Sequence, residues 1–234
     1  MRDLLNSMKT SLPKYNLVQP STGKLLVYRP FTVKEEKNLL MANQTGSYED
    51  FLVTLADLID NCFELDVDAK KLPLFDIEYF FLKLRSKSVG EIVEPTIVCP
   101  ATREKIKLML NIDSIEPITF PEHSNKIKIA SDILVTMKYP SLENIIKRSS
   151  RKTDYFDLLM ECIDTIQTKH ELIDAKTASM VEIEEFINLL TTDQYKKLIE
   201  FFKTTPKLEK EIKYKTKDDV ERIIILRGIR DFFQ

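Results

Sequence analysis

The sequence predicts a helix-rich α+β protein made of two tandem, similar units. Three observations carry that prediction. Apolar residues recur at helical spacing in long segments, and these alternate with short β-branched runs bounded by turn residues. Pro117 and Pro121 bracket a polar linker near the middle of the chain. The order of elements ahead of that linker recurs behind it, at an offset of about 107 residues. The units are therefore placed at 1–120 and 121–234, each with a strand or hairpin, three or more helices and a closing antiparallel hairpin, and the second with an extra helix.

The first unit opens with a hairpin, residues 15–18 and 24–29, around the turn cluster Pro20-Ser21-Thr22-Gly23. Thr32 and Glu35 make a capping box for a helix over about 33–43, since the hydroxyl and carboxylate each satisfy an orphan backbone N–H. A second helix over about 48–62 carries Phe51, Leu55, Leu58, Ile59 and Cys62 on one face. The segment from Leu72 to Arg85 has the widest apolar stripe, with Pro73 at its start. A helix of that kind is packed on more than one side and centres its unit. Two strands over about 91–99 and 104–112, joined through Cys99-Pro100-Ala101-Thr102-Arg103, close it.

The second unit begins with a strand-like segment over 126–139 and a helix opened by Pro140-Ser141. Amphipathic helices are expected over 151–168, 180–190 and 193–203, and a closing hairpin over 209–215 and 220–226 turns at Thr216-Lys217-Asp218-Asp219. Particular strings recur between the units. Tyr48-Glu49-Asp50-Phe51 matches Tyr155-Phe156-Asp157-Leu158, and Asp68-Ala69-Lys70 matches Asp174-Ala175-Lys176. Four apolar residues then stand close to the end of the chain, in Leu226-Arg227-Gly228-Ile229-Arg230-Asp231-Phe232-Phe233. Either they fold back onto the second unit or they dock on a partner.

Composition removes most chemistries. Four glycines, none spaced as G-x-G, cannot build a P-loop or dinucleotide fingerprint, which bring clustered backbone N–H groups onto phosphate. The two histidines, His123 and His170, lie in polar segments and read as solvated, although Ser124 beside His123 keeps a hydrolase as an alternative. Cys62, Cys99 and Cys162 are widely spaced and read as buried thiols of a reducing compartment, and Cys99 lacks a C-x-x-C partner. No cofactor, metal site, catalytic group or small-molecule substrate is therefore expected, and the chain is read as no enzyme. Basic residues gather at Lys147-Arg148-Ser149-Ser150-Arg151-Lys152 and along the closing hairpin. The net charge of −2 and the lack of interleaved aromatics argue against a nucleic-acid partner. No segment has the apolar length of a membrane helix, and Met1–Lys9 mixes charge into its apolar residues as a signal peptide does not.

Three strings together resemble one family. They are Tyr28-Arg29-Pro30-Phe31-Thr32-Val33-Lys34-Glu35-Glu36 with the residues through Ala42, Phe75-Asp76-Ile77-Glu78-Tyr79-Phe80-Phe81 with the residues through Glu91, and the closing Leu226–Phe233. They resemble the baseplate hub assembly proteins of T4-like tailed bacteriophages, over about residues 25–233. The resemblance implies a protein that meets other phage baseplate hub or tail proteins, either as a chaperone or assembly factor that leaves or as a permanent subunit. It places the chain in the cytoplasm of the infected host during assembly, or in the tail baseplate itself. It transfers no catalytic motif. Cysteine pairs that some relatives place in the hairpins are represented here by Cys99 alone, so no metal is carried over. The contact residues expected for such a role are Phe232 and Phe233 at the terminal tip, Arg103 in the first hairpin loop and Lys217 in the closing turn.

Overall fold

Tyr15–Val18 (β1) and Leu25–Tyr28 (β2) form the antiparallel hairpin that opens the computed structural model, which describes residues 11–66, 68–149 and 155–233. Gly23 takes φ +71° in its turn, a conformation that costs a residue without Cβ nothing. Thr32 and Glu35 make the expected capping box at the start of Val33–Thr45 (α1), and Ser47 with Asp50 makes another ahead of Tyr48–Cys62 (α2). The inner face of α2 buries Leu52, Leu55, Ala56, Leu58 and Ile59. The chain then turns back along β2. Phe63 bridges Tyr28, and the Arg29 amide donates to the Cys62 carbonyl at 3.0 Å.

Leu74–Ser88 (α3) is the centre of this unit. Phe75, Ile77, Phe80, Leu82 and Leu84 are buried along it, and Phe80 stacks on Phe63 with ring centroids 4.7 Å apart. Its polar residues are also engaged. Lys83 pairs with Glu116 at 2.7 Å, and Lys87 pairs with Asp113 at 2.9 Å while Ser86 donates to the same carboxylate. The two long strands expected next are instead four short ones. Ile92–Val93 (β3) pairs with Leu110–Asn111 (β6), and Thr96–Val98 (β4) pairs with Lys105–Lys107 (β5). The ladder breaks at Pro95, which has no N–H to give, while its carbonyl accepts from Leu108 at 2.9 Å.

Lys126–Ala130 (β7) and Ile133–Met137 (β8) open the second unit as a hairpin, where a single strand-like segment was expected. Ser131-Asp132 supplies the turn. After Leu142–Ser149 (α4) comes a larger difference. The helix expected over 151–168 is Tyr155–Cys162 (α5), and Ile163–Gln167 is a strand, β9, beside β8. Ile163, Thr165 and Ile166 are β-branched, and such side chains favour a pleated half-buried strand once a partner edge is present; the pairing with β8 shifts register between Thr136 and Met137. Leu172–Asp174 (β10) completes a sheet of order β10-β9-β8-β7. Met180–Asn188 (α6) and Thr192–Thr204 (α7) bury Ile183, Ile187, Leu198 and Phe201 with Val135, Met137, Leu159 and Ile166 of the sheet and α5.

The closing hairpin, Glu209–Lys215 (β11) with Glu221–Arg227 (β12), and Gly228–Phe233 (α8) belong to the first unit and not to the second. The first unit comprises residues up to Ile118 and again from Lys207, and the second comprises Thr119–Pro206. The expected unit of 121–234 is corrected accordingly. Ile118 and Lys207 exchange both backbone hydrogen bonds, at 2.8 and 3.1 Å, where the chain leaves and rejoins the first unit. Two backbone-level hydrogen bonds recur between the units. Lys138 donates to the Cys162 carbonyl at 2.7 Å, as Arg29 does to Cys62, and Asp174 accepts from the Lys176 amide as Asp68 does from Lys70. After α3 one unit builds hairpins, and after α6 the other builds α7. The N-terminal Met1–Lys9 reading and the Arg151-Lys152 half of the basic loop lie outside the described residues.

His123 corrects a second expectation. It is half-buried rather than solvated, stacked against Tyr139 and Phe201. The Thr204 hydroxyl donates to the Glu200 carbonyl, so its oxygen accepts from His123 Nδ1–H at 2.9 Å, and Nε2 then accepts from the Tyr139 hydroxyl at 2.8 Å. Burial holds the imidazole below its ordinary value of 6.5. A folded state that resists protonation loses stability as pH falls below that value, because the unfolded chain then binds more protons. The second unit should therefore unfold at lower denaturant at pH 5 than at pH 7, and His123→Phe should reduce that difference in a urea titration followed by circular dichroism.

Candidate functional site

The terminal tail is fixed first by backbone geometry. Gly228 has φ +63°, and a Cβ there would stand 2.5 Å from Glu78 Oε1, so the turn into α8 runs over the Glu78 carboxyl. Ile229 donates its amide to that carboxyl at 3.4 Å. Phe232 is 0% exposed and Phe233 meets Phe81 edge-on at 5.4 Å. The tail therefore folds back, and onto the first unit. Phe232 is a core residue, not a presented contact, because its whole side chain is enclosed. Phe233 is half-buried and keeps one side open to a groove.

That groove lies between α1, the start of α2, the second half of α3 and α8, with a volume of about 590 Å³. Leu39 and Leu40 of α1, Phe51 of α2, Phe81 of α3, and Ile229 and Phe233 of α8 supply its apolar lining. Its polar residues are Glu36, Arg85 and Arg230 with the amide and hydroxyl groups of Asn43, Ser47 and Tyr48. Arg85 donates to the Gly90 carbonyl at 3.0 Å. Arg230 lies 3.7 Å over the Tyr48 ring, where the face of the π-system attracts a cation. Neither guanidinium has an ion-pair partner among the described residues. Such a surface is mainly apolar, with two guanidiniums and one carboxylate among its polar residues. It suits an amphipathic protein segment.

Burial pushes the Glu78 carboxyl up to about 7, against the opposing hydrogen bond from Ile229. The folded state then holds its proton more tightly than the unfolded chain. This group's favourable contribution is complete at or below its ordinary value of 4.5 and is lost as pH rises towards 7. Glu78→Gln should therefore stabilise the protein relative to wild type by about 2 kcal/mol at pH 8 and by much less at pH 4.5. Paired urea titrations at the two pH values measure the difference.

Arg103 and Lys217 belong to a different place. Arg103 is exposed at φ +59° in the β4–β5 turn, and Asp219 has φ +57° in the β11–β12 turn. The structure brings these turns together: the Lys217 amide donates to Glu104 Oε2 at 3.1 Å, and the ammonium stands 3.7 Å from Glu104 Oε1. Below them Cys99 is fully enclosed, and Tyr214 donates its hydroxyl to the sulfur at 3.4 Å. Hydrogen bonds from Thr102 and then Tyr214 bring its thiol down to about 7, so they outweigh burial. Cys62 and Cys162 are the opposite case, both pushed up to about 12 by burial. The basic residues of the closing hairpin are largely paired with acids: Lys213 with Glu221, Lys215 with Asp219 and Arg222 with Asp218. Lys147 and Arg148 likewise pair with Glu143 and Glu161.

Asp76 escaped the sequence reading. It stands in the first turn of α3 between apolar neighbours, yet is fully buried. Gln19 donates to it at 2.7 Å, and the Ser21 amide at 3.0 Å with the Ser21 hydroxyl beside it. Its signal was the pairing of a lone carboxylate inside an apolar stripe with a polar turn.

A family described as T4 bacteriophage base plate protein matches residues 12–234. The baseplate hub assembly protein gp26 of Enterobacteria phage T4 is 25% identical over 218 residues, covering 91% of this chain and 94% of that protein. No solved structure matches. No helix among the described residues is long and apolar enough to cross a membrane.

Proposed function

Because the chain belongs to the T4 bacteriophage base plate protein family, we propose that it is a non-enzymatic assembly protein of the phage baseplate hub that works by protein–protein contacts. The observation that carries this reading is the near full-length match to a protein named for hub assembly. The groove beside α8 supports it, because it offers an apolar floor with the guanidiniums of Arg85 and Arg230 among its polar residues. The protein meets other hub or tail proteins in the cytoplasm of the infected host and acts as a chaperone or assembly factor. The family description, base plate protein, favours a second reading in which the chain stays in the particle as a subunit.

One experiment separates the two. The chain is co-expressed with the hub proteins of its phage and recovered through an affinity tag, and purified particles are probed for the chain with an antibody. Stoichiometric recovery with unassembled hub proteins and absence from particles is the expected result. Presence in particles at a fixed copy number would support the subunit. Recovery of no tail protein would overturn both.

A further inference from the structure

We propose that the groove of the first unit receives an acidic amphipathic helix of a baseplate partner, whose apolar face lies on the groove floor while its carboxylates meet Arg85 and Arg230. The inference rests on the assembly reading above and names the chemistry of the segment recognised. The floor at Leu40, Phe51, Phe81 and Phe233 is of a size with ordinary binding pockets, roughly 300–1,000 Å³. A helix presents residues i, i+3, i+4 and i+7 to such a floor over about 11 Å of its length.

Charge decides which helix. A guanidinium has five N–H donors, and Arg85 gives one of them to the Gly90 carbonyl. Burial makes its charged form less favourable than usual, and Glu36 reaches it as a neighbouring charge without a hydrogen bond. Arg230 is exposed, with its guanidinium carbon 3.7 Å from the centre of the Tyr48 ring. Two guanidiniums against the single Glu36 leave the lining net positive. A carboxylate set against such a guanidinium gains a charge-assisted bond, and bidentate geometry sharpens the choice. Two other occupants fit less well. Residues 1–10 carry Met1, Leu4, Leu5 and Met8 at helical spacing, but Arg2 and Lys9 outnumber Asp3. A second copy would have to offer an acidic apolar face such as that of α6.

The test uses the full chain and two fluorescein-labelled synthetic helical peptides, each with leucines at i, i+3, i+4 and i+7. One carries glutamates beside the leucines and the other carries lysines at the same places. Fluorescence anisotropy should give at least ~10-fold tighter binding of the glutamate peptide, the size expected of one charge-assisted bond. Arg230→Glu should reverse the preference, and Leu40→Asp at a surface position, 53% exposed, should weaken the glutamate peptide by ~10-fold or more without unfolding the protein. Equal binding of the two peptides, binding of neither, or an unchanged preference in Arg230→Glu overturns the inference. So does a ~10-fold gain in affinity on deleting residues 1–10, which would assign the groove to the chain's own segment. A dimer by light scattering that dissociates in Leu40→Asp would assign it to a second copy. If wild type recovers hub proteins and both variants recover them equally well, the groove inference fails and the assembly reading stands. If the peptides discriminate as expected and wild type recovers no hub protein, the assembly reading fails and the groove chemistry stands.

Discussion

Phe232→Ala should lower the stability of the first unit by about 3–5 kcal/mol, the cost of removing a fully enclosed aromatic ring and leaving its cavity. The position is two residues from the end of the sequence, where truncation of a frayed terminus would cost almost nothing. Here α8 is held by Gly228 over Glu78, by Ile229 and Phe232 in the core, and by Phe233 against Phe81. Losing Phe232 should release the whole element, and the groove wall formed by Ile229 and Phe233 should go with it. Urea unfolding gives the stability change. Hydrogen exchange should locate the new openness in α8 and the facing turns of α3, while the amides of β7–β10 keep their protection. A change below about 1 kcal/mol would contradict the packing described.

Asp76→Ala is the second large effect, about 3 kcal/mol. Burial pushes the carboxyl up in pKa, and three donors hold it: the Gln19 amide and the amide and hydroxyl of Ser21. Removing it leaves the Ser21 amide without its acceptor and the buried Gln19 amide with only the Ser21 hydroxyl, and a buried donor left unpaired costs more than the bond itself contributed. The effect should appear as loss of protection in the β1–β2 turn as well as in global stability. Asp76→Asn keeps an acceptor in place and should recover about half of the loss. Equal effects of the two substitutions would mean that packing, not hydrogen bonding, sets the cost.

The local rules carried the first unit well. The Thr32–Glu35 capping box places the start of α1, the one-face spacing of Phe51 to Cys62 places α2, and the wide apolar stripe of 72–85 marks the central helix. They failed where a neighbouring edge decides. Ile163-Asp164-Thr165-Ile166 continues the helical spacing of α5, but three of its four residues are β-branched, and only the open edge of β8 selects the strand. The closing hairpin has the composition of either unit. Its place beside β3–β6 depends on Tyr214 reaching Cys99 and Lys217 reaching Glu104, more than 100 residues away in the chain. His123 looked solvated because its neighbours Glu122 and Ser124 are polar, while its stacking partners Tyr139 and Phe201 are remote in sequence.

The candidate site was legible in the same partial way. The apolar tail singled out Phe232 and Phe233, and its end does border the groove. Yet the two rings divide their roles: Phe232 anchors the helix and Phe233 faces the open side. Arg85 and Arg230 could not be matched in advance, being far apart in sequence and joined only when α8 folds back over α3. Arg103 and Lys217 were chosen separately, and the fold sets their two turns side by side through Glu104.

The assembly reading is tested most directly by a phage in which an early stop codon replaces this gene's reading frame, its tails examined by electron microscopy after infection. The predicted result is the accumulation of baseplate parts without completed hubs, restored to complete baseplates when the wild-type chain is supplied in trans. Normal yields of complete, infectious particles from the stop-codon phage would contradict it.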